Sequence, residues 1–70
     1  MDTDGLIAYI AYTLYRDMRM YKFTYDYPKF IATFDYVTCV LRVDAIDPSI
    51  DISIIVSVIE DIIGAPVYVE

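Results

Sequence analysis

The sequence predicts a small α+β domain in one piece, its elements running helix, strand, strand, helix, strand. Apolar residues recur at helical spacing over 4–19 and again over 48–63, while MYKFTYDY (20–27) between them alternates strictly. Seventy residues lie near the size at which one core barely suffices, but a hydrophobic content of 59% lets this chain collapse.

The first helix is expected over 4–19, capped by Thr3 or Asp4, with Ile7, Ile10, Ala11, Leu14 and Met18 as its apolar stripe. Tyr9, Tyr12, Arg16 and Arg19 form a second stripe on another face, because residues three and four apart are neighbours. In the strand 20–27, Tyr21, Phe23, Tyr25 and Tyr27 share a face opposite Lys22, Thr24 and Asp26. Pro28 ends it, since proline gives no donor to a ladder.

Residues 30–46 carry two signals. Phe30, Ile31, Phe34, Val37 and Leu41 fit a helix, whereas the β-branched content and the alternation Val37, Cys39, Leu41, Val43 fit a strand. The strand reading is taken, over roughly 32–44 and antiparallel to 20–27, with a bulge near Tyr36 where the buried phase shifts. Cys39 is then an inert core residue.

In DPSIDISIIVSVIEDIIGAP (47–66) the continuous Ile/Val run is too short to span a bilayer and is interrupted by Asp51, Glu60 and Asp61. Asp47 reads as an N-cap with Pro48 at the first helical position, and Gly64 as the left-handed residue past the end. Ile52, Ile55, Val56, Ile59, Ile62 and Ile63 make the stripe between them, and 66–70 reads as a last strand. Together 37–44, 48–63 and 66–70 would be a right-handed βαβ unit beside an antiparallel hairpin. In element order this resembles a truncated ferredoxin-like two-layer sandwich lacking its first strand, a likeness that implies no function.

Residues 1–42 hold all five cations against five carboxylates, so the net charge of −6 falls on Asp44, Asp47, Asp51, Glu60, Asp61 and Glu70. A field of one sign repels nucleic acid and anionic membrane and attracts basic protein surfaces. KFTY (22–25) is faintly similar to the stacking platform of RNA-recognition motifs but lacks their glycines, and the negative charge opposes phosphate. The aspartates upstream of GLIAYIAYTLY (5–15) contradict a signal peptide, and a single cysteine excludes internal cystines, so a cytoplasmic protein is expected.

The chain has no histidine, tryptophan, asparagine or glutamine. That removes histidine-activated nucleophiles and imidazole metal sites, and two glycines provide no phosphate-cradling loop. Asp44, Asp47 and Asp51 could offer oxygens to Mg²⁺ or Ca²⁺, yet the calcium-loop spacing with its glycine is absent. They read as a solvated group, a cap and a dipole partner. No enzyme activity, metal, cofactor or small-molecule substrate is expected. Ser49, Ser53 and Ser57 read as the wet side of the second helix.

The expected function is a small non-enzymatic protein-binding module. Asp44, Asp47, Asp51, Glu60 and Asp61 would meet a basic protein surface, and Tyr9, Tyr12, Arg16 and Arg19 would supply anchors, Tyr and Arg being enriched at hot spots. In size and charge the chain resembles phage-encoded inhibitors of bacterial defence, anti-CRISPR proteins among them, which implies occlusion of a nucleic-acid-binding surface. The alternative is a structural homodimer or larger homo-oligomer assembled through sheet edges.

Overall fold

In the computed structural model, residues 3–15 and 19–70 are described. They form a small α+β domain in which two helices lie on a mixed four-stranded sheet. The elements are α1 (Thr3–Leu14), β1 (Met20–Asp26), β2 (Lys29–Asp35), β3 (Val40–Ile46), α2 (Ile52–Ile63) and β4 (Tyr68–Val69).

The alternation holds over 20–26, while Tyr27, expected on the buried face, lies in the turn and is exposed. Tyr21 and Phe23 are buried while Met20, Lys22, Thr24 and Asp26 are exposed. The two-residue connection Tyr27–Pro28, joined by a cis peptide bond, returns the chain as β2, pairing Tyr21 with Phe34 and Phe23 with Ala32.

The expected single strand over 32–44 is instead two strands. Asp35 accepts hydrogen bonds from the amides of Val37 (2.9 Å) and Thr38 (3.4 Å), so its carboxylate closes a turn and β3 runs back antiparallel to β2. The expected bulge near Tyr36 is this turn. A register shift lies further on, where Ile31 pairs with Ala45 and Ala32 with Val43, leaving Asp44 unopposed. Cys39 sits in the turn, half-buried, at a φ of 59°, rather than in a strand.

The second helix starts one turn later than expected. Asp47 accepts from the amide (2.9 Å) and hydroxyl (2.7 Å) of Ser49, closing a turn of its own. Asp51 repeats that pattern with Ser53 and is the true N-cap of α2. The far end is as read: Gly64 adopts a φ of 71° and donates its amide to the Glu60 carbonyl at 2.8 Å. The crossover makes β4 parallel to β3, giving the order β1-β2-β3-β4.

One core joins the layers. Leu6, Ile10 and Leu14 of α1 and Ile55 and Ile59 of α2 meet Tyr21, Phe23, Phe30, Ala32, Phe34 and Leu41 of the sheet. Phe23, Phe30 and Phe34 are fully buried, each contributing about 2–3 kcal/mol through removal from water. The α1 stripe is rotated from the expected one, with Leu6 fully buried and Ile7 and Ala11 half-buried. Met18 lies outside the described residues. Both helices cover the same side of the sheet, so the other side stays open.

Candidate protein-docking surface

The carboxylates expected to act together fall into three places. Asp44 is on β3, 3.5 Å from the guanidinium of Arg42 on the same strand. Asp47 and Asp51 flank the start of α2. Glu60 and Asp61 are in its last turn, about 13 Å along the axis from Asp51 at 1.5 Å per residue.

The serines beside Asp47 and Asp51 favour the ionised forms of these carboxylates. Amide and hydroxyl donation from Ser49 lowers the Asp47 pKa, and hydroxyl and amide donation from Ser53 lowers that of Asp51. Beside them, Asp4, Ile7, Ser49, Ile50, Asp51 and Ile54 line a groove of 360 Å³ between the N-terminal ends of α1 and α2. Its walls are isoleucine and its rim is carboxylate. The sequence suggests only a capping role for Asp4, and its place on the groove rim follows from the packing of α1 beside α2.

Besides Asp47 and Asp51, which close a turn and cap α2, two more of the expected binding residues have structural work. The Tyr9 hydroxyl accepts the amide of Thr24 at 2.9 Å, and its ring lies 5.3 Å from that of Tyr25. Arg19 and Tyr36 are bonded across the hairpin, so odd-numbered residues of β1 face β2 and Thr24 faces the outer edge. Tyr9 therefore caps an edge amide. Glu60 does the same across the sheet, accepting the Val67 amide at 2.9 Å through Oε2. Tyr68 and Glu70 donate to Cys39 and Leu41 of the β3 side, so Val67 points away from β3. No signal within residues 1–19 or 48–63 foretells either bond, because each depends on where a strand edge comes to lie.

Tyr12 is 65% exposed on α1 and Arg19 is exposed just before β1. Arg16 lies outside the described residues, so the Tyr/Arg stripe is described only at Tyr9, Tyr12 and Arg19.

Charge separates by layer rather than by chain half. Among the described residues, α1 and the segment 47–67 carry Asp4, Asp47, Asp51, Glu60 and Asp61 and no cation. The sheet side carries Arg19, Lys22, Lys29 and Arg42 against Asp26, Asp35, Asp44 and Glu70. Among the described residues, no cluster of three carboxylates or cysteine is placed to hold a metal ion, and no helix is long and apolar enough to cross a membrane.

Family models, curated proteins and solved structures contain no match to this chain. Geometry alone carries the functional reading.

Proposed function

We propose that this protein is a non-enzymatic binding module, acting in the cytoplasm, whose acidic helix layer docks on a basic protein surface. The observation that supports this reading is the one-signed helix layer: five carboxylates without a cation among the described residues, opposite a charge-balanced sheet. Asp47 and Asp51 keep their charge further into acid, because their serine bonds favour the ionised form. The isoleucine-walled groove between Asp4 and Asp51 adds apolar area beside the charge, and partner arginine or lysine stems can lie on such area while their heads meet the rim. A more specific form is an inhibitor of the anti-CRISPR type, which covers a nucleic-acid-binding surface by placing carboxylates where phosphates would lie.

Assembly through sheet edges is less favoured, because Tyr9 and Glu60 each occupy an outward-facing edge amide. The experiment is to recover the partner by co-purification and measure association rates with the Asp4→Lys, Asp61→Lys double variant. Both positions are exposed, so folding should persist. The on-rate at low salt should fall about tenfold and the salt dependence should flatten. An unchanged on-rate would remove the electrostatic reading.

A further inference from the structure

The side of the sheet away from the helices is a second surface, with a different chemistry. Its residues form rows across the strands. One row runs Met20, Asp35, Val40, Tyr68, from the pairings Met20–Asp35, Asp35–Val40 and Val40–Tyr68. The next runs Lys22, Thr33, Arg42, Glu70, from Lys22–Thr33 and Thr33–Arg42, with Glu70 two residues past Tyr68 and donating its amide to Leu41. Met20 and Tyr68 are 50% and 63% exposed. Between the rows lies a groove of 290 Å³ whose lining includes Thr33, Asp35, Val40, Arg42 and Glu70.

These rows are self-complementary. A two-fold axis parallel to the strands, between β2 and β3, carries the first position of each row onto the fourth. Met20 then meets Tyr68 of the second copy, and Lys22 meets Glu70. Arg42 falls over Thr33 and beside Asp35. The helix layer offers no such match, since stacking it on itself would set carboxylates against carboxylates.

We propose that the open sheet face is a two-fold dimer interface, with Met20 against Tyr68 and Lys22 against Glu70 of the second copy. Aligned sheets stack about 10 Å apart with interdigitating side chains, a geometry that long side chains of this kind fill. A standard interface takes about 800 Å² from each partner, close to a fifth of the 4451 Å² surface of this molecule. A four-stranded face of this kind falls short of that, so the association is a weak one, in the micromolar range. The dimer turns both acidic helix layers outward, so it is compatible with the docking proposed above and independent of it.

Sedimentation equilibrium of the whole chain between about 10 and 300 μM tests this, micromolar binding being about −8 kcal/mol. The wild type should shift from monomer to dimer over that range. Lys22→Glu should raise the dissociation constant about tenfold, and Lys22→Glu with Glu70→Lys should restore it, which loss of folding could not mimic. Tyr68→Glu with Met20→Glu should leave a monomer with an unchanged circular dichroism spectrum. Val69→Pro removes an amide facing away from β3 and should leave the dimer intact. A wild type that stays monomeric, a charge swap that fails to restore association, or a dimer abolished by Val69→Pro would overturn the proposal.

Discussion

A carboxylate that accepts hydrogen bonds from adjacent donors binds its proton less readily, and Asp47 and Asp51 both do so from a serine two residues on. Each pKa is lowered from 3.8 in the fold. A depressed folded pKa gives stability that is present above the unfolded value and lost as pH falls through the folded one. The window therefore lies below pH 3.8 for both residues. Asn at position 51 can still cap a helix but has no proton to gain. Asp51→Asn should keep near-wild-type stability at neutral pH and lose less of it in acid, measured by urea unfolding at neutral pH and near pH 2.5. An equal loss in both proteins would show that the serine bonds do not govern the acid response.

At the scale of elements, α2 shows how a local signal can be present twice. Asp47-Pro48-Ser49 and Asp51-Ile52-Ser53 share one Asp-x-Ser pattern, but the first, read as the helix start, closes only a turn, Ile50 donating to the Asp47 carbonyl at 3.0 Å. The energetic consequence is unequal. Asp51→Ala should lower the unfolding temperature of the domain through loss of the cap, and Asp47→Ala should lower it clearly less. Thermal unfolding of the two variants separates them, and equal losses would mean that both aspartates cap. The start and stop of α2 were thus legible to within one turn. So was the hairpin at Pro28, because alternation and proline act locally. The turn at 36–39 was not. It has neither glycine nor proline, its Val37 and Thr38 favour strands, and its left-handed residue is Cys39, so Asp35 alone signals it. Missing it merged β2 with β3.

Over the whole molecule, that missed turn also decided what could be seen of the site. Without β3 as a separate strand, Arg42 is not set beside Thr33 and Lys22, and the charge appears divided along the chain. With it, Lys22, Thr33 and Arg42 fall in one row on the open side. The acidic character then belongs to the helices and the turn before α2. Tyr9 and Glu60 illustrate the same limit: both read as binding candidates, but their use as edge caps depends on contacts across 15 and 7 residues. The resulting molecule has two unlike surfaces, an anionic layer over the core and a neutral sheet beneath it, and long-range attraction of a cationic partner is confined to the first.

The most direct measurement is an amide chemical-shift titration with a short oligoarginine peptide at low salt. The layered charge predicts shifts around Asp4, Asp51 and Asp61, with little change at Lys22, Thr33 or Arg42, and their disappearance near 0.5 M salt, where the screening length is only about 4 Å. Shifts spread evenly over both surfaces, or concentrated on the sheet, would contradict it.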